Sequence, residues 1–340
     1  MLALALSLVL FGTCVLAGCG NGGADVPSDT TQDENTDEAV DSMAAHKEKA
    51  KALDGKRILF VGNSYMYYGQ MLRTNDMLRQ TVAGRSHDDG MFYELLKELG
   101  AEANVVNWTF GSHQLEDFFT DTCAAGKKCD GENHLEVIQN EAFDYVVLQI
   151  CGREMREGYM DTLASAVAMF RATNPSVQFV YLYNPAAYGI NGFEQGTYMT
   201  QAFANRKTIE EMGIRVADWG GIVMDMMYGK QRVKDGKFSY NQESFIIAQN
   251  EKDGYHPNQL AGYITTVMTY MALTGDTAEG LPFDFVGNAQ ANRLNDWKNF
   301  KDTYYKLRTT NYHEIIQDAD EMNGILALID EWSKNGGITK

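Results

Sequence analysis

No glycine-rich phosphate loop is present in this chain. The stretch Gly84 to Gly90 lacks both the preceding strand and the Gly-Lys-Ser/Thr context that would cradle a nucleotide phosphate. No internal repeat is visible. Basic residues are few: 29 Lys and Arg stand against 46 Asp and Glu, a formal net charge of −17. So acidic a surface lacks the clustered cations that neutralise phosphates, which argues against nucleic acid or an anionic membrane surface as partner and suits a neutral sugar or an uncharged ester. Cysteine is scarce at 5 residues, and neither these nor the 6 histidines are spaced to complete a four-ligand metal set. Neither a metal nor an organic cofactor is expected. What the chain does have is material for a core: 340 residues, 44% hydrophobic and 11% aromatic, enough for one substantial domain plus a tail.

The longest apolar run is at the N-terminus. Leu2 to Leu16 is too short to span a bilayer comfortably and ends in Leu16-Ala17-Gly18-Cys19. That tetrapeptide resembles a bacterial lipoprotein cleavage box, which makes residues 1–19 a signal peptide ending at a lipidated Cys19. The alternative is an ordinary cleaved secretory signal, which would leave the mature chain soluble. No Lys or Arg precedes the run, and a few residues upstream of Met1 are expected. Residues 20–50 read as an acidic disordered tether, because Gly20 to Ala45 offer almost nothing to bury. The expected location is the bacterial cell surface or another extracytoplasmic site, with the lipid as the only membrane contact. In an exported chain, Cys123 and Cys129 suit a local disulfide worth roughly 2 kcal/mol, while Cys151 reads as a small buried hydrophobe.

Between 51 and 285 the pattern alternates. Strands are expected at Arg57–Gly62, Ala103–Asn107, Tyr145–Gln149, Gln178–Tyr183 and Arg215–Asp218. Helices are expected over Met91–Leu99, Met160–Arg171 and Gln259–Leu273, where apolar residues recur at helical spacing. Such alternation implies an α/β fold, a three-layer α/β/α sandwich around a central, mostly parallel five-stranded sheet. Residues 286–340 form a C-terminal helical extension, with Trp297, Tyr304, Leu307, Ile315, Ile316, Leu326 and Ile329 spaced to pack on that domain or over its site.

Two short motifs carry chemistry. Gly62-Asn63-Ser64 follows the apolar run ending at Val61, so Ser64 falls at a strand's carboxyl end, where open α/β sheets hold ligands. Asp253-Gly-Tyr-His256-Pro257 lies some 190 residues on. A serine hydroxyl needs a base within hydrogen-bond reach, and that base needs a group to fix its tautomer. His256 and Asp253 suit those roles. Each motif alone is a common loop sequence; their joint occurrence at opposite ends of an α/β pattern gives them weight.

The pair resembles the first and last blocks of the SGNH (GDSL-like) hydrolase superfamily, over about residues 56–275. The resemblance implies a flavodoxin-like sheet, a Ser64-His256-Asp253 triad and an oxyanion hole formed by the Ser64 N–H, a glycine after the second strand and an amide after the third. Gly111, in Trp108-Thr-Phe-Gly111, matches the glycine. The third block departs from the Gly-x-Asn-Asp pattern: this chain reads Leu148-Gln149-Ile-Cys151-Gly-Arg153, with no asparagine. Gln149 is the preferred substitute donor and Arg153 the runner-up. The implied activity is ester hydrolysis by a monomer, with O-acetyl groups on extracellular carbohydrate as first substrate. The alternatives are a lipase or thioesterase, or a glycan-binding surface lipoprotein that kept the fold and lost the rate. Tyr65, Met66, Tyr67, Tyr68, Trp108, Phe110, Tyr183 and Tyr188 are either core or the walls of an acceptor cleft. His113 is expected as a solvated loop residue, with a place facing the cleft as the alternative, and Met224 to Met227 as helix core.

Overall fold

Ile58, Leu59, Phe60 and Val61 are wholly buried, as a strand covered on both faces requires. They lie in β1 (Arg57–Gly62) of a computed structural model. It describes residues 34–69, 71–72, 90–111, 113–119, 133–150, 156–185, 195–229, 233, 238–241, 244–246, 256–283 and 319–339. The other strands are β2 (Asn104–Thr109), β3 (Tyr145–Gln149), β4 (Gln178–Leu182) and β5 (Arg215–Ala217). They form one five-stranded sheet in the order β2-β1-β3-β4-β5, with every pair parallel. The expected strands are all present, with ends displaced by at most two residues.

The helices are α1 (Glu34–Ala50), α2 (Ser64–Tyr68), α3 (Met91–Glu98), α4 (His134–Asn140), α5 (Tyr159–Thr173), α6 (Gln195–Glu211), α7 (Trp219–Met227), α8 (Gln259–Thr274) and α9 (Ala319–Trp332). The β1-to-β2 and β3-to-β4 connections run in opposite directions along the sheet, so right-handed crossovers put α3 and α5 on opposite faces. α8 packs beside α3, and α4 beside α5, completing the α/β/α layering.

α8 is the innermost helix: every residue from Gln259 to Leu273 is buried. A helix buried all round must satisfy its own polar side chains. Its threonines do so locally, Thr265, Thr266 and Thr269 donating their hydroxyls to the carbonyls of Ala261, Gly262 and Thr265, while the amide of Gln259 in the first turn has no hydrogen-bond partner. α9 instead buries a stripe, Met322, Ile325, Leu326 and Ile329, at helical intervals. Each such side chain contributes about 1.5–3 kcal/mol, enough to dock the helix. The chain then returns to β5, where Ile338 makes an antiparallel bridge to Ala217. Thr339 N–H donates to Val216 O at 2.9 Å and Asp218 N–H to Gly337 O at 2.8 Å.

One expectation needs correction. Residues 34–50, read as disordered tether, form α1, and its C-terminal half is docked. His46 is buried, with Nδ1 2.8 Å from Asp276 Oδ2 and Nε2 2.9 Å from Glu279 O. Tyr270 Oη donates to the same carboxylate at 2.7 Å. A segment poor in apolar residues is thus held by a buried polar cluster. Cys19 and the tether before residue 34, Cys123, Cys129, Cys151, Tyr188, and residues 284–318 of the C-terminal extension lie outside the described residues.

Candidate active site

The site grows out of the end of β1. Gly62 is flanked on both sides, paired with Thr109 of β2 and Gln149 of β3. A Cβ there would stand 2.6 Å from Gln149 O and 2.8 Å from Met66 Sδ, so only glycine fits between sheet and helix. The next residue, Asn63, is the N-cap of α2: its side-chain oxygen accepts the Tyr65 N–H at 3.3 Å. Its Nδ2 donates to the His113 carbonyl at 3.2 Å, tying the nucleophile turn to the loop after β2. The Phe110 N–H adds a second tie, donating to Gly62 O at 3.2 Å. Ser64 therefore opens α2 from a doubly anchored turn. It sits at the carboxyl end of β1 beside β3, where the connections leave in opposite directions, the switch point at which doubly wound sheets present their crevice.

His256 arrives from the other end of the sequence. Its Nε2 lies 2.8 Å from Ser64 Oγ. With the proton on Nδ1, the serine O–H donates to Nε2, the arrangement a general base requires. The loop carrying it is pinned immediately downstream. Pro257 bridges to Ile246, the Asn258 N–H donates to Phe245 O at 2.8 Å, and Asn258 Oδ1 accepts the Ala261 N–H to cap α8. The His256 ring is only 5% exposed. Tyr68 stacks on it with centroids 3.6 Å apart and planes within 25°, and Tyr65 stands at 5.5 Å and 50°.

Gly111 lies at the exposed turn after β2 and touches α2, since a Cβ on it would be 3.0 Å from Tyr67 Oη. Gln149, the last residue of β3, is wholly buried, and neither its amide nitrogen nor its amide oxygen has a hydrogen-bond partner. The described residues thus bring together Ser64, His256, the Gly111 turn and the strand end bearing Gln149. Asp253 and Arg153 lie outside them. Among the described residues no group of His, Cys, Asp and Glu could hold a metal ion.

His113 differs from expectation. It is buried at 4% exposure among Phe110 and Phe118, with Nδ1 3.2 Å from Gly111 O. Aromatic packing around the Gly111 turn, which joins Trp108 and His134 to the same cluster, overrides the polarity of the loop. Trp108 and Tyr183 are wholly buried core residues, and Tyr183 donates to Ala202 O at 2.8 Å. Tyr68, which the sequence offers as core or as cleft wall, instead stacks on His256, one helical turn after Ser64.

Comparison with known proteins returns structures only: no family model matches the chain, and no curated protein matches it. The chain is similar to solved esterases and lipases. An acetyl xylan esterase from Geobacillus stearothermophilus aligns at 14% identity and a TM-score of 0.43, covering 65% of this chain and 95% of that one. An alpha/beta hydrolase from the metagenome of Lake Arreo aligns at 17% identity and 0.43, covering 66% and 98%. A protein from Parabacteroides merdae described as a GDSL-like lipase aligns at 13% identity and 0.40, covering 65% and 96%.

Proposed function

We propose that the protein is a serine esterase of the SGNH type, acting on O-acetyl groups of extracellular carbohydrate. One observation carries the reading: Ser64 Oγ stands 2.8 Å from His256 Nε2 at the switch point of a doubly wound sheet. A histidine Nε2 within hydrogen-bond reach of a serine hydroxyl at that crevice is what a nucleophile and its base require.

In this reading His256 takes the Ser64 proton as Oγ attacks the ester carbonyl, and returns it to the leaving alcohol. Asp253 steadies the imidazolium through Nδ1. Water then attacks the acyl-enzyme by the same base. The Ser64 N–H, the Gly111 N–H and the Gln149 amide bind the oxyanion. What supports Gln149 is its place at the end of β3, paired with Gly62 beside the Ser64 turn, with an amide that has no hydrogen-bond partner, an arrangement that costs about 1–3 kcal/mol. Arg153 is the alternative donor. The acetyl and carbohydrate assignment, and with it a lipid-anchored location outside the cytoplasm, is supported by the resemblance in the first and last motif blocks and by the likeness of Leu16-Ala17-Gly18-Cys19 to a lipoprotein cleavage box.

The test is hydrolysis of p-nitrophenyl esters from acetate to octanoate, and of acetylated xylan, by the wild type and by Ser64→Ala. Turnover that prefers acetate and is lost in the variant is the expected result. Equal rates in both, or none in either, would remove Ser64 from the chemistry.

A further inference from the structure

We infer that Tyr68 is the positioning residue for the base, holding the His256 imidazole against Ser64 and favouring its protonated form through the face of the phenol ring. The inference rests on the esterase reading above and concerns how the same site is held.

Three observations converge. Ser64 and Tyr68 are the first and last residues of α2, four apart and therefore on one face. Side chains on a helix lean toward its N-terminus, so the Tyr68 ring covers the turn that presents Ser64. The His256 ring fills the space this creates: it lies 3.6 Å from the Tyr68 centroid at 25° while its edge reaches Ser64 Oγ at 2.8 Å. One five-residue helix thus supplies both the nucleophile and the surface on which the base rests. An imidazole covered on one face keeps Nε2 on the serine, because rotation out of its plane would drive the ring into the phenol. An aromatic face also attracts a cation, so it stabilises the imidazolium that exists once the serine proton has been taken. Tyr65, tilted against the same ring, is a second titratable phenol of α2 facing it; Asp253 lies outside the described residues.

The experiment is a histidine ring NMR titration of the wild type, Tyr68→Phe and Tyr68→Leu, with the His256 resonance among the 6 histidines assigned by its loss in His256→Gln. The expected result is a His256 midpoint about half a pH unit lower in Tyr68→Leu and wild-type in Tyr68→Phe, which keeps the ring face. The other resonances report whether each variant is folded. In parallel, Tyr68→Leu should lose about tenfold in kcat on p-nitrophenyl acetate with little change in KM, and Tyr68→Phe should recover it. Identical His256 midpoints in all three proteins would overturn the inference while leaving esterase activity intact. Failure of wild-type Ser64 to react with a serine-directed phosphonate would instead overturn the esterase reading, and with it the catalytic meaning of the stack.

Discussion

Gly262 of α8 and Gly69 at the end of α2 meet backbone against backbone: a Cβ on Gly262 would overlap the Gly69 carbonyl, and one on Gly69 would stand 2.8 Å from the Gly262 Cα. α8 begins just after His256 and α2 begins with Ser64, so this contact sets the distance between base and nucleophile. Gly262→Ala is therefore expected to force the two helices apart, at a cost of about 1–3 kcal/mol. Thermal melting would show the loss, and ester turnover should fall further than the lowered stability explains. A variant with wild-type melting and activity would mean that this contact does not set the distance between Ser64 and His256.

Gln149 carries two unsatisfied polar atoms into the core. Replacing it with methionine, of similar length and no hydrogen-bonding demand, should stabilise the fold by about 1–3 kcal/mol. If its amide serves the oxyanion, the same change should lower kcat about 10²- to 10³-fold. Denaturant midpoints and kinetics on one preparation read both effects. Greater stability with undiminished kcat would shift the oxyanion role to Arg153.

Asn63 does two jobs with one amide, capping α2 through Oδ1 and holding the His113 carbonyl through Nδ2. Asn63→Ala should lose about 1 kcal/mol from the cap, with activity reduced as the Ser64 turn loosens. Asn63→Asp keeps the capping acceptor and turns a donor into an acceptor opposite the carbonyl. It should therefore retain more helix stability than alanine yet still weaken the tie to the loop after β2. Melting of the two variants side by side checks the order.

The docking of α1 should depend on pH. Both ring nitrogens of His46 face acceptors, Asp276 Oδ2 and Glu279 O, so the doubly protonated ring satisfies both. The Asp276 hydrogen bond raises the His46 pKa more than burial lowers it, with Asp330 adding to the rise. For Asp276, burial alone would raise the pKa, but the bonds from His46, Tyr270 and the Thr277 N–H outweigh it and hold it below the usual carboxylate range. Burial, then the Asp276 carboxylate, pushes the Tyr270 phenol well above its ordinary range, so it stays a donor. A raised histidine stabilises fully below its unfolded pKa, near 6.5, and loses that contribution as pH climbs through the folded value; a lowered carboxylate loses its share as pH falls through its own folded value. The melting-temperature gap between wild type and His46→Ala should be widest in mildly acidic buffer and narrow on the alkaline side. A gap that does not change with pH would rule out a charged His46.

The sheet was legible because its strands are continuous apolar runs: β1 and β3 are buried along almost their whole length. Ser64 and His256 were legible from their motifs. Three things were not. α1 carries only a sparse inward stripe, Met43, His46 and Ala50, whose middle member is a histidine with partners 230 and 233 residues away. The buried state of His113 depends on Phe110 and Phe118 folding around it in the segment after β2, with His134 of α4 packed on both. The Tyr68 stack depends on the path of a loop 188 residues distant, for which local sequence holds no signal.

The antiparallel bridge of Ile338 to Ala217, with its flanking hydrogen bonds at Val216 and Asp218, occupies the outer side of β5. A strand at the margin of a sheet offers unpaired N–H and C=O groups to any other chain, and here the last few residues take up that offer first. A chain shortened at residue 336 would keep its serine, its base and most of its core. Its failure would be colloidal, as bare β5 margins pair between molecules and the protein leaves solution with Ser64 and His256 still in contact.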